Sequence, residues 1–308
     1  MNIKYILSKI LPASKLNVRI LEKKINAISE SQQKTLRETQ KTVIETQKTI
    51  IKTQKAVIDN QQLLKNKINN LSLYMDNLKD KIEQSSRLSS EAVWANVFNN
   101  TISSSSWLND KTFYPGRWAV GYPFLYVMYR ILNEIKPQSI LELGLGQTSR
   151  MIGQYAANRK NTKHYVVEGD KDWADFFIND FKLSEQSEIV ILDYEFIKYK
   201  EDDRVRVYKD FAKTFGNKKF DFITIDAPFA GDMEIYSRID LLSIIPDSLC
   251  ESFVIMVDDI LRKTEANMFI ELENKLKENN IEYVKGKYSG LKDFYIIVSP
   301  NLSFLTTM

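Results

Sequence analysis

The sequence predicts an α/β fold, a Rossmann-like doubly wound sheet of seven strands preceded by a long N-terminal coiled-coil helix, and three observations predict it. Apolar residues recur at seven-residue spacing through the first part of the chain. Strand-like and helix-like segments then alternate to the C-terminus. Between the first two of these, an apolar run enters a turn carrying Gly144 and Gly146. Alternation of this kind builds a parallel sheet with helices on both faces.

From Gln32 to about Arg87 there is no proline or glycine, and Leu36, Val43, Ile50, Val57, Leu64, Leu71 and Leu78 form a heptad seam. The block Thr-Gln-Lys-Thr-Val-Ile-Glu beginning at Thr39 repeats from Thr46 and, with Ala56 and Asp59, from Thr53. Four residues after the first seam positions stand Gln40, Gln47, Gln54 and Gln61, replaced further on by Ile68, Met75 and Ile82. This half-polar core trades stability for register and predicts a homo-oligomer, with dimer and trimer both open. A stalk of about 55 helical residues would measure ~80 Å at 1.5 Å per residue.

Residues 1–30 read as a basic amphipathic segment, with Ile3, Ile6, Leu7, Ile10 and Leu11 on one face and Lys4, Lys9, Lys15, Arg19, Lys23 and Lys24 around them. Such a segment suits peripheral contact with an anionic membrane or packing on partner chains, and Pro12 interrupts it. The coiled coil is expected over 31–88, a linker and cap over 89–120 with its serine-rich hinge at Ser85–Ser106, and the catalytic domain over 121–308.

Composition narrows the function. A net charge of +3 over 308 residues is small, but residues 1–70 carry 14 Lys and Arg against 5 Asp and Glu, so the remainder is acidic. The basic charge is spread around a helix without interleaved aromatics, which argues against nucleic acid as partner. Cys250 has no second cysteine to pair with, and a single histidine, His164, argues against zinc. No apolar run approaches ~20 residues and no secretory h-region is present, so a cytoplasmic place is expected, at the inner face of the membrane if the basic tip meets lipid.

In the domain, a covering helix is expected at 121–135, strands at 138–143, 163–168, 187–192, 220–226, 253–258, 281–285 and 293–298, and helices at 147–159, 171–182, 234–245 and 263–279, with the last strand antiparallel. Ser139-Ile-Leu-Glu-Leu-Gly-Leu-Gly-Gln-Thr148 is a strand, glycine turn and helix start, where backbone can approach a nucleotide closely. The next strand, His164-Tyr-Val-Val-Glu168, ends on an acid suited to ribose hydroxyls. A dinucleotide fingerprint would place its third glycine where Ser149 stands, which favours S-adenosylmethionine over a nicotinamide dinucleotide. His164 opens its strand, away from the expected catalytic edge, and reads as structural.

On these residues the chain, over roughly 120–300, resembles the class I S-adenosylmethionine-dependent methyltransferases. The resemblance implies cofactor contacts from Glu142, Gly144, Gly146 and Thr148 in the first motif, from Glu168 to the ribose, from Asp193 to adenine, and from Asp226 facing the methyl group. The Gly-Leu-Gly turn, Glu168–Trp173 and Ile225-Asp-Ala-Pro228 are similar to the glucuronoxylan O-methyltransferases. Phe253-Val-Ile-Met-Val-Asp-Asp-Ile260 is similar to the metal-dependent O-methyltransferases of catechols and macrolide sugars. That second likeness implies a divalent metal, magnesium, on Asp226, Asp258 and Asp259. Three converging carboxylates repel one another unless a cation or shared proton compensates them; the competing reading is that Asp259 caps the following helix.

A hard cation orients a sugar hydroxyl and lowers its pKa, which is the chemistry a poor nucleophile needs. The lysine that the catechol enzymes place three residues after their first acid is replaced by Phe229, leaving Asp226 or Asp232 as proton acceptor. Trp118, Tyr114 and Arg117 precede the covering helix and suit an acceptor pocket or a packed cap. The expected function is an O-methyltransferase acting on a hydroxyl of a surface glycan or its precursor. The alternatives are a small-molecule or protein methyltransferase, and an oligomeric scaffold with a non-catalytic domain of the same fold.

Overall fold

A computed structural model describes residues 12–116 and 118–308, and the side chains of 15–116 and 118–308. Ile3, Lys4, Ile6, Leu7, Lys9, Ile10, Leu11 and Arg117, named above, lie outside the described residues. Contacts divide the chain into two units, 1–79 and 80–308.

Helix α1 runs Pro12–Ile102, with Pro12 as its first residue, where a missing N–H costs nothing. In the first unit every described side chain is solvent-exposed, including the heptad seam. The threonines of the repeat bond back to the preceding turn: Thr39, Thr46 and Thr53 hydroxyls donate to the carbonyls of Thr35, Thr42 and Thr49. Among the described residues no helix is long and apolar enough to cross a membrane.

In the second unit, the part of α1 expected as hinge and linker stays helical to Ile102. Trp94, Phe98 and Ile102 recur every four residues and pack on the sheet, while Asn96, Asn99 and Asn100 between them face solvent. Composition alone read this amphipathic turn as a linker because only the polar face is abundant. Trp94 packs against Tyr126 and Tyr288 and its indole N–H donates to Ser289 O. Glu91 accepts from the N–H groups of Tyr122 and Leu291, and Arg87 pairs with buried Asp293 at 2.8 Å.

The covering helix α2 (Tyr122–Arg130) ends in a π turn over Ile131–Ile135. The sheet then forms from β1 (Ser139–Leu143), β2 (Lys163–Glu168), β3 (Ser187–Ile191), β6 (Phe220–Ile225), β7 (Leu249–Val257), β8 (Val284–Ser289) and β9 (Asp293–Val298). Helices α3 (Gln147–Ala157), α4 (Lys171–Asp180), α5 (Phe211–Phe215) and α6 (Lys263–Glu278) alternate with the strands. The order is β3-β2-β1-β6-β7-β9-β8, with β9 antiparallel to both neighbours. This is the seven-stranded, doubly wound Rossmann-like sheet expected from the sequence, with helices on both faces. One core lies between the sheet and α1, α2 and α3, the other beneath α5 and α6.

Three local expectations change. The helix expected at 234–245 is a loop followed by a 3-10 turn at Ile239–Ser243, because Arg238 takes a left-handed φ of 53° that helix geometry forbids. The strand expected at 281–285 is β8, three residues later, after Asn280 turns left-handed behind α6. An unforeseen hairpin, β4 (Tyr194–Tyr199) and β5 (Asp202–Tyr208), turns through Lys200-Glu201, without the Asn-Gly signal that marks such turns.

Asp240, in the 3-10 turn, accepts the Tyr208 N–H through Oδ1 at 2.6 Å, while its buried Oδ2 has no partner. Burial pushes this carboxyl up to about 7. The folded state therefore holds the proton more tightly than the unfolded chain, and the stability this gives is full below about pH 4 and lost as pH rises through about 7. Asp240→Asn keeps the acceptor and removes the charge. It is expected to match wild type at pH 4 and exceed it by roughly 2–4 kcal/mol at pH 8 in urea unfolding. An identical pH slope in the two proteins would refute the assignment.

Candidate active site

The sheet reverses its winding between β1 and β6, and ligands of open α/β sheets bind outside the carboxyl ends of the strands at such a point. There the Asp226 N–H donates to Leu143 O at 3.0 Å, bringing the glycine turn beside Asp226. A cavity of about 840 Å³ opens here, lined among others by Gly144, Gly146, Thr148, Glu168, Asp226 and Asp259.

Gly144 has φ 107°, and a Cβ there would stand 3.0 Å from the Ala227 Cβ. Gly144→Ala should therefore cost roughly 1–3 kcal/mol, read as a lower thermal midpoint; an unchanged midpoint would contradict this strain. A Cβ on Gly146 would meet no protein atom within 4 Å, so glycine here leaves open space at the head of α3. Ser149, at the position of the missing third glycine, accepts the Gly146 N–H at 2.9 Å and satisfies one free N–H of that helix start.

Glu168 is held by its own turn. Its Oε1 accepts from the N–H groups of Gly169 and Asp170 at 2.7 and 2.9 Å, and its Oε2 from that of Leu145 at 3.2 Å. Trp173 ties α4 to the glycine turn by donating its indole N–H to Leu145 O at 2.8 Å. The Glu168 carboxylate is thus fixed before any ligand arrives, at the end of β2 in the cavity wall.

Behind the cavity, oxygens of Asp226, Asp258 and Asp259 lie within 4.8 Å of one another. Asp226 ends β6 and faces the cavity; Asp258, 1% exposed, and Asp259 follow β7. Burial raises the Asp226 carboxyl to about 6, against the lowering effect of Arg238 and Lys292. Burial, then the Asp226 charge, raises Asp258 to about 8, and its buried Oδ1 accepts no hydrogen bond. Asp259 does not cap α6: that helix begins at Lys263 without a side-chain cap.

Three cations that the sequence did not signal enter this cluster. Arg238 is buried, with Nη2 at 3.3 Å from both Asp226 and Asp259 and Nε at 3.8 Å from buried Glu265. Arg262 reaches Asp259 and Glu265, and Lys292 reaches Asp258 and Asp259 from the β8–β9 turn. The carboxylates around Lys292 raise its pKa, so it stays an ammonium and no proton acceptor. Lys292 puts an ammonium beside the acids even though Phe229 occupies the position of the catechol enzymes' lysine.

Other expected residues fall elsewhere. Glu142 is buried and does not line the cavity; its Oε2 lies 2.9 Å from His164 Nε2, and His164 Nδ1 lies 3.0 Å from Ser187 Oγ, so the pair ties β1, β2 and β3 together. Side chains alternate along a strand, and Glu142 faces the layer away from the glycine turn. Asp193 is exposed outside the cavity lining, whereas its neighbour Tyr194 lines it. Asp232 also lies outside the lining and binds Arg206 through two contacts of 2.7 Å, and this pairing holds its carboxyl below the usual range. A carboxylate so stabilised is a weak base. Tyr114 and Trp118 line the cavity mouth, with the Trp118 ring 71% exposed and 6.0 Å from that of Phe229.

No protein-family model and no curated protein matches the chain. Among solved structures it is similar to the O-methyltransferase TomG from Streptomyces achromogenes, solved with S-adenosylmethionine, at 12% identity and a TM-score of 0.46 over 68% of this chain and 98% of that one. It is also similar to an O-methyltransferase from Bacillus cereus, solved with S-adenosylhomocysteine, at 14% identity and a TM-score of 0.43 over 68% of this chain and 90% of that one.

Proposed function

We propose that the chain is an S-adenosylmethionine-dependent O-methyltransferase acting on a hydroxyl of a surface glycan or its precursor, with a divalent cation, magnesium, held by Asp226, Asp258 and Asp259. One observation carries the reading: a preformed Glu168 carboxylate, an open glycine turn and the Asp226 carboxylate share a single cavity at the sheet's switch point. Glu168 suits a ribose diol, and the space over Gly146 suits the amino-acid end of the cofactor. The acceptor then enters between Asp226 and the Trp118–Phe229 pair, where aromatic faces suit a sugar ring.

The acidic cluster fits a hard cation. Four carboxylates, with Glu265, face three protein cations, and Asp258 Oδ1 is left without a partner at 1% exposure. A bound divalent cation would supply Lewis acidity that orients the hydroxyl and lowers its pKa. In transfer, the hydroxyl oxygen forms a bond to the methyl carbon as the carbon–sulfur bond breaks. The proton passes to Asp226, the carboxylate of the cluster that ends β6 and lines the cavity. A second reading, transfer to a small phenol, is favoured by the same exposed rings, which also suit a flat acceptor.

The test is label transfer from methyl-labelled cofactor by the full chain, across polysaccharide, lipid-linked and nucleotide-linked sugars and a phenol panel. Labelled glycan is expected, lost on chelation and restored by magnesium. Full activity after chelation removes the metal from the reading; labelled phenol alone replaces the glycan; cofactor binding with no transfer favours the scaffold.

A further inference from the structure

The exposed face of α1 in the first unit has a pattern that selects its partner. The seam residues between Leu36 and Leu78 are 44–61% exposed, and Ile44, Ile51 and Ile58 beside them are 51–65% exposed. From 15 to 79 every side chain is exposed. Helices of this length take most of their stability from a packed apolar face, so this face calls for an occupant.

We propose that the occupant is the same segment of further copies of this chain, aligned parallel and in register. Heptad notation puts Leu36, Val43, Ile50, Val57, Leu64, Leu71 and Leu78 at d, which places Gln33, Gln40, Gln47, Gln54 and Gln61 at a. In a parallel coil each a layer contains the same residue from every copy. Every glutamine then meets glutamine, whose amide N–H groups donate to the neighbouring amide oxygen.

Reversing one helix pairs each a position with a d position. At full overlap Gln40 would face Leu78, Gln47 would face Leu71, Gln54 would face Leu64 and Gln61 would face Val57. Each buried amide would then lack a partner. A parallel slip of three heptads sets Gln47, Gln54 and Gln61 against Ile68, Met75 and Ile82, with the same result.

Around the glutamine layers charge does not compete with this selection. From 39 to 60 the g positions are Thr39, Thr46, Thr53 and Asn60 and the e positions are Ile44, Ile51 and Ile58, so the flanks that usually set orientation carry no charge. Lys41, Lys48 and Lys55 and the acids Glu38 and Glu45 sit at the outer b and f positions. The polar layers are therefore the orienting element.

Single-cysteine full chains test this, with Cys250→Ser in every case. Gln54→Cys under mild oxidation is expected to link about half or more of the chains into pairs, since facing a positions bring the Cβ atoms near disulfide range. A mixture of Gln40→Cys and Leu78→Cys chains should yield no mixed pair. Sedimentation equilibrium of wild type is expected to give a whole multiple of the chain mass, whichever multiple that is. A monomer at micromolar concentration, or a mixed 40–78 link with no 54–54 link, overturns the proposal. Replacing Gln47, Gln54 and Gln61 together by leucine in both the Gln40→Cys and the Leu78→Cys chains should make the mixed link appear, which separates loss of orientation from loss of folding.

Discussion

Arg238→Ala is expected to lower the stability of the second unit by about 3–5 kcal/mol, the cost of leaving buried charges without their partner. Arg238 lies 3.3 Å from Asp226 and Asp259 and 3.8 Å from Glu265, which is fully buried and has Arg262, at 3.2 Å, as its other cation. Its removal leaves Arg262 and Lys292 to balance four carboxylates. The deficit should shrink as pH falls through about 8 and then about 6, where Asp258 and Asp226 take up protons instead. Urea unfolding at pH 5 and pH 8 measures it. A loss under about 0.5 kcal/mol at both values would show that the cluster is already neutralised by protons.

Asp258→Ala should reduce methyl transfer about 1,000-fold, the equivalent of several kcal/mol of electrostatic stabilisation, with cofactor affinity within about threefold of wild type. The separation follows from position. Asp258 lies behind the cavity at 1% exposure and does not line it, whereas Asp226 and Asp259 do. Asp258→Asn keeps the shape and should lose nearly as much if a cation is held there. Turnover within tenfold of wild type for both variants would assign Asp258 a structural role only.

The backbone of the site was legible in the sequence because its signals are local. An apolar run, two glycines and a strand-ending acid place Gly144, Gly146 and Glu168 without knowledge of the rest, and Asp226, Asp258 and Asp259 each end an unmistakable apolar strand. The compensating cations were illegible because nothing near them in sequence marks them. Arg238 enters from a loop expected to be helix, and Lys292 from a turn 33 residues beyond Asp259. Glu142 shows the reverse failure: its place in the first motif suggested the cofactor, but β-strand alternation turns it onto His164. The packed end of α1 was hidden by its own serines, since Trp94, Phe98 and Ile102 are too sparse to change the composition of the segment.

The central claim, that this cavity holds S-adenosylmethionine, is tested most directly by calorimetric titration of S-adenosylmethionine and S-adenosylhomocysteine into the full chain and into Glu168→Gln. Saturable binding near micromolar strength, weakened about 10–100-fold by loss of one charged acceptor, is the predicted result. Absence of binding to wild type, or equal affinity in the variant, would contradict it.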